Sequence, residues 1–207
     1  MGVENFYLFG KGELAIYCAE KYLTKYKKNN LKIIPTLPEP TWTESLTQWA
    51  QINGIKVLDF EEIKESSLEE NSIGLSIFYD KIFKKEIISK FYRLCNIHNA
   101  PLPKYRGMNP VNWALKNNEE THGVTLHLID EGIDTGDILD QENFEINQTM
   151  QVVDVYKFCI AKGKTLIDKN LFKLDKLKSL SQDESKSSYY SKEDFDKLGD
   201  RKEFTRK

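Results

Sequence analysis

The spacing of apolar residues along this chain changes several times, and each change marks an element. Val3 to Phe9 is a short apolar run ending at Gly10-Lys11-Gly12, which predicts a strand and a turn. Glu13 to Lys28 takes up helical spacing, with Leu14, Ile16, Tyr17, Leu23 and Tyr26 as expected buried positions. Leu31 to Thr36 reads as a second strand, and Pro35, Pro38 and Pro40 predict an irregular connection. Trp42 to Gly54 has a helical pattern, with Thr41 or Thr43 as the expected cap and Gly54 as the stop. Val57-Leu58 starts a brief strand, and the acidic residues 59–71 read as a helix or surface loop.

Ile73 to Tyr79 predicts a buried strand, Phe83 to Lys90 a short helix, and Tyr92 to Ile97 a strand that ends at His98. Asn109 to Asn117 is helical in pattern and Gly123 to Asp130 is strand-like. Ile138 to Ile146 alternates in part, as an antiparallel strand does. Thr149 to Leu171 predicts a long amphipathic helix with Thr149 as its N-cap. Strands alternate with helices through the first 120 residues, which predicts an α/β layer fold with a largely parallel sheet. Ligands in such folds gather at the carboxyl ends of strands. Residues 1–178 read as one folded unit and 179–207 as a polar, loosely packed tail.

Composition narrows the function classes. Hydrophobic residues make up 40% of the 207, enough for a substantial core. Thirty basic and 32 acidic residues leave a net charge of −2, which lacks the basic excess usual for nucleic-acid binders. No run approaches the length of a membrane span, and Met1-Gly2-Val3-Glu4-Asn5-Phe6 lacks the features of a signal peptide or myristoylation motif. Cys18, Cys95 and Cys159 are widely spaced and odd in number, which suits structural thiols in a reducing, cytoplasmic setting. No metal-ligand spacing is evident.

Two short segments carry the candidate chemistry. One holds Asn96, His98 and the Pro-rich loop through Gly107. The other runs from His122 to Asp137 and ends in the Gly-punctuated loop around Asp134. An amide, an imidazole and a carboxylate suit acyl transfer to an amine. His98 and Asn96 would donate to the oxyanion, at roughly 3–4 kcal/mol of barrier per donor. Asp134 would hold the imidazole charged or relay the proton lost by the amine. Each residue also has a plain reading: His98 as a loop residue, Asn96 as a turn cap, Asp134 as a turn former beside Gly132 and Gly136.

Taken together, Asn96-x-His98, Leu102-Pro103-Lys104-Tyr105-Arg106-Gly107, His122-Gly123-Val124-Thr125-Leu126-His127 and Asp130-Glu131-Gly132-Ile133-Asp134-Thr135-Gly136 resemble the folate-dependent formyltransferase family. The close match covers roughly residues 72–140, and a looser one residues 1–175. The resemblance implies a Rossmann-like core, 10-formyltetrahydrofolate as formyl donor and a primary amine as acceptor. It places Asn96, His98 and Asp134 on the family's catalytic Asn, His and Asp. It implies folate contacts at Tyr79, Asp80, Lys81, Ile82 and Phe83, and at Asp130, Gly132 and Ile133. Core packing is the plain reading of Tyr79 and Phe83.

Three acceptor classes follow from the resemblance. Methionyl-tRNA formyltransferases share the Leu102 to Gly107 segment but carry a further C-terminal domain. Glycinamide ribonucleotide formyltransferases match in length, but Phe9-Gly10-Lys11-Gly12 lacks their phosphate loop. Arg106-Gly107-Met108-Asn109-Pro110-Val111-Asn112-Trp113 resembles enzymes that formylate nucleotide-linked amino sugars, the expected class. Gly10, Lys11, Gly12, Lys104, Tyr105 and Arg106 are the expected acceptor contacts, with Arg106 pairing a phosphate or carboxylate. Asn99-Ala100-Pro101 departs from the family's Pro-Ser-Leu after the His, which bears on the acceptor pocket. A homodimer, a methionyl-tRNA formyltransferase-like enzyme and a catalytically silent folate-binding module remain as further readings.

Overall fold

The computed structural model describes residue 3, residues 5–147 and residues 149–198. Met1, Gly2 and Glu4 of the N-terminal reading, and residues 199–207 of the expected tail, lie outside these. Strand β1 (Phe6–Gly10) shows why its run is apolar throughout. Phe6 and Leu8 pack into one core cluster, while Tyr7 and Phe9 pack into a second. Side chains alternate across a strand, so β1 is buried on both faces.

Helix α1 (Gly12–Leu23) and strand β2 (Leu31–Pro35) follow, then α2 (Leu46–Ile52), β3 (Lys56–Val57) and α3 (Phe60–Glu65). Next come β4 (Ile73–Ile77), α4 (Lys85–Ile88), β5 (Arg93–His98), β6 (Arg106–Gly107) and α5 (Pro110–Lys116). The chain continues through β7 (Thr121–Leu128), β8 (Ile138–Glu145), α6 (Val152–Asn170) and β9 (Tyr189–Tyr190).

Seven strands form one sheet in the order β3-β2-β1-β4-β5-β7-β8. Strands β1 to β5 pair in parallel, and β7 and β8 are antiparallel. This is the expected α/β architecture with a mostly parallel sheet. Residues of α1, α2 and α6 pack with Leu8, Ile33 and Ile97 on one face. Phe60 and Ile63 of α3 and Ile87 of α4 pack with Phe9 and Leu94 on the other. All three cysteines are buried and free. Burial pushes the Cys95 thiol up to about 12, as befits a structural thiol.

Three expectations change. Helix α2 starts at Leu46 rather than Trp42, because Ser45 caps it through Gln48 N at 3.0 Å and Glu39 accepts from Leu46 N at 2.8 Å. Helix α6 starts at Val152, where Gln151 N donates to Asp154 at 2.9 Å; Thr149 bonds Asn147 instead.

The third concerns the C-terminal segment. Its described part is docked, not loosely packed. β9 pairs with β6, Tyr190 stacks on Trp113 with ring centroids 4.1 Å apart, and Leu198 is buried. Polar composition misled here because aromatic stacking and hydrogen bonds to the buried Arg106 replace aliphatic packing. No helix among the described residues is long and apolar enough to cross a membrane.

Candidate active site

Parity on β5 builds the site. Leu94 points into the cluster with α3 and α4, so Asn96 and His98 face that side, while Cys95 and Ile97 face the other. In the antiparallel register Asn96 lies opposite His127 on β7. β7 ends near the middle of β5, at Cys95, so the two carboxyl ends do not coincide. The β7–β8 hairpin loop makes up the difference by returning Asp134 to the end of β5.

Asp134 gathers the polar groups. His98 Nδ1 lies 3.6 Å from its Oδ2, and His127 Nε2 lies 3.5 Å from its Oδ1. Gly107 N donates to Oδ2 at 2.9 Å, and Asn96 Nδ2 stands 3.5 Å from Oδ1. Burial works against ionisation of this carboxyl. The nearby His98 and the Gly107 N–H outweigh it and hold the group well below the usual carboxylate range. The three expected catalytic residues thus converge on one site.

Ring tautomers follow from the fixed carbonyls. His98 Nε2 donates to Tyr105 O at 2.9 Å, which leaves Nδ1 facing Asp134. His127 Nδ1 donates to Leu128 O at 2.7 Å, so its Nε2 accepts from Asn96 Nδ2 at 3.1 Å. One Asn96 N–H is therefore committed to His127. The other, in its long contact with Asp134, is the donor left for a ligand. His127 had no role assigned from sequence, since only the cross-strand register shows that it orients Asn96.

These groups open on a cavity of about 990 Å³. That lies at the upper end of the ~300–1,000 Å³ usual for ligand sites. Trp42, Ile82, Met108, Ile133 and Tyr189, all apolar residues left exposed, line it. Such clustering marks a binding surface. All eight expected folate contacts line it too: Tyr79, Asp80, Lys81, Ile82, Phe83, Asp130, Gly132 and Ile133. Tyr79 and Phe83 also pack edge-on against Phe9, so they serve both core and cavity wall. Asp130 spends one oxygen on Gly132 N and Thr135 Oγ1, shaping the loop.

The expected acceptor contacts divide. Lys11 lines the cavity and pairs with Asp80 at 2.7 Å. Gly10 and Gly12 do not line it. Gly10 has φ 146°, and a Cβ there would stand 2.0 Å from Ile77 O, so its role is the close approach of β1 to β4. Lys104 points away, to Glu119 at 3.3 Å, and Tyr105 is buried with its hydroxyl on Glu119 at 2.6 Å. Arg106, expected to take a ligand anion, is buried and held by Glu184 at 2.6 Å and by Gln182. The C-terminal segment supplies cavity residues that sequence reasoning missed, among them Tyr189, Lys192 and Phe195. Among the described residues no group of three or more His, Cys, Asp or Glu is arranged to hold a metal ion.

Comparison with known proteins adds three findings. Residues 19–169 match a family profile described as formyl transferase. Methionyl-tRNA formyltransferase of Clostridium novyi (strain NT) is 35% identical over 118 residues, covering 56% of this chain and 38% of that protein. The bifunctional polymyxin resistance protein ArnA of Wigglesworthia glossinidia brevipalpis is 34% identical over 145 residues, covering 68% and 21%. The chain thus spans less than half the length of these curated relatives.

Among solved structures, the N-formyltransferase of Helicobacter canadensis, in complex with folinic acid and dTDP-3-aminofucose, superposes with TM-score 0.84 at 34% identity. The match covers 92% of this chain and 71% of that one. WlaRD, a sugar 3N-formyl transferase crystallised with dTDP and 5-N-formyl-THF, superposes with TM-score 0.84 at 33% identity, covering 93% and 71%.

Proposed function

This chain belongs to the formyl transferase family, and we propose that its site moves a formyl group from 10-formyltetrahydrofolate to the primary amine of a nucleotide-linked amino sugar. The observation that carries the chemistry is the convergence of Asn96, His98 and Asp134 on the wall of one large cavity. The sugar assignment rests on the likeness to two N-formyltransferases, one seen with dTDP-3-aminofucose and one with dTDP, over 92% and 93% of the chain.

The cavity suits a folate in volume and in character. Ile82, Phe83 and Ile133 offer an apolar lining beside the polar Asp80 and Asp130. The donor supplies a formyl carbon already bound to nitrogen and open to attack. Trp42, Tyr156, Tyr189 and Lys192, also in the cavity lining, offer aromatic faces and a cation that suit the base and diphosphate of the acceptor.

The amine attacks in its neutral form, and charge collects on the formyl oxygen. Asn96 Nδ2–H is the donor placed to meet it, joined by His98 Nδ1 when the ring carries a second proton beside the one that Nε2 gives to Tyr105 O. Asp134 ionises too readily to store the amine's proton for long. It stands as a fixed negative charge beside His98 Nδ1 and relays the proton lost by the amine. The bond between the formyl carbon and N10 of the donor breaks as the intermediate collapses, and the departing N10 takes up that proton. Tyr105 O locks the far nitrogen of the ring, so His98 cannot turn away.

The test is a reaction of the protein with 10-formyltetrahydrofolate and a panel of dTDP- and UDP-linked amino sugars. Free tetrahydrofolate is read by absorbance, and the formamide product by mass spectrometry. Formylation of at least one sugar is expected. Folate binding without product from any amine would point to a binding module, and preferential formylation of methionyl-tRNA would overturn the sugar assignment.

A further inference from the structure

Beyond residue 169, where the family match ends, the chain returns to the loop that carries Asp134. Ser179 Oγ donates to Asp137 Oδ2 at 2.9 Å, and Leu180 and Ile138 exchange two backbone hydrogen bonds of 2.8 Å. Gln182 makes the central contact. Its side-chain nitrogen donates to Asp134 O at 2.8 Å and to Gly136 O at 2.7 Å. Its side-chain oxygen accepts from Arg106 Nε at 3.1 Å and Nη2 at 2.8 Å. Glu184 then completes the Arg106 guanidinium.

The neighbours set the amide's orientation. Turned over, its oxygen would face two carbonyl oxygens and its NH2 would face a guanidinium, which has no acceptor. Only one orientation satisfies all four partners. Asp134 needs such support, because it sits at φ 54°, a left-handed conformation that an L residue keeps only when its surroundings hold it. Where that backbone goes, the carboxylate goes.

We infer that Gln182 is a positioning residue. By gripping the carbonyls of Asp134 and Gly136, it keeps the Asp134 carboxylate within reach of His98 and Asn96. Gln182 is not part of the cavity lining, so it acts through Asp134 rather than on a ligand. The inference rests on the proposed function and extends it to a segment outside the family match.

Two variants of the full chain test it. Gln182→Glu keeps an acceptor for Arg106 but turns an oxygen toward the two carbonyls, and Gln182→Met removes both functions. Each is expected to lower kcat about 10- to 100-fold while KM for donor and amine stays within about twofold. Amide hydrogen exchange across residues 130–138 should quicken in both. In an Asp134→Asn background neither variant should cost more, because residues acting as a unit do not add.

Wild-type kcat in Gln182→Glu, a loss confined to KM, or a loss that multiplies with that of Asp134→Asn would each overturn the inference. Absence of turnover in the wild type would instead sink the formyl-transfer reading. Hydrogen exchange then decides alone, and an unchanged 130–138 loop in Gln182→Glu refutes the brace.

Discussion

Asn96 can serve as a donor only because something fixes which way its amide points, and His127 does so from across the sheet at 3.1 Å. His127→Leu removes that acceptor. Its kcat should fall about tenfold with little change in folate binding, as for a lost orienting contact. A kcat equal to wild type would show that Asp134 alone orients the amide. The sequence showed His127 as part of a motif but gave no hint of this role, which depends on register.

His122 is a second case where burial decides. Its ring is fully buried and is held down to about 4 from 6.5, with the Asn99 carbonyl opposing burial only in part. Between those values the folded chain binds fewer protons than the unfolded one. Stability is therefore whole above about pH 6.5 and is lost as pH falls toward 4, by about 3 kcal/mol at most. Denaturant midpoints measured across that range should fall in the wild type and flatten in His122→Gln. An equal slope in both would remove His122 from the account.

At the scale of elements, hydrophobic period located most strands and helices, because a strand buried on both faces and an amphipathic helix leave plain signatures. Helix starts were less legible. Ser45 and Gln151 hold the caps, while Thr41, Thr43 and Thr149 are equally good cap residues by type. The direction of β7 was also hidden, since parallel and antiparallel neighbours can share the same apolar run.

The docked C-terminal segment was misread for a different reason. It is held by stacking of Tyr190 between Tyr105, at 5.8 Å, and Trp113, at 4.1 Å. Tyr190→Ala should weaken this docking by about 1–3 kcal/mol, from two aromatic pairs. Limited trypsin digestion should then cut first at Lys186 or Lys192. Digestion at the wild-type rate would mean that the polar contacts of Arg106 with Gln182 and Glu184 and the β6–β9 pairing hold the segment without the stack.

For the molecule as a whole, the fold class and the identity of the three central polar residues were legible in the sequence, because Asn96-x-His98 and the Asp134 loop are local patterns. The acceptor side was not. Arg106, the expected anion ligand, is consumed by an internal ion pair, whereas Trp42, Tyr189 and Lys192 reach the cavity from segments distant in sequence. Only folding brings those segments together, so no spacing rule marks them.

Formyl transfer through Asn96, His98 and Asp134 is decided by turnover of 10-formyltetrahydrofolate with a nucleotide-linked amino sugar, compared among wild type, His98→Ala and Asp134→Asn, with folate binding titrated on the same samples. The predicted result is a fall in kcat of at least about a hundredfold in each variant, with folate affinity changed by no more than about threefold. Near-wild-type turnover in either variant would contradict it.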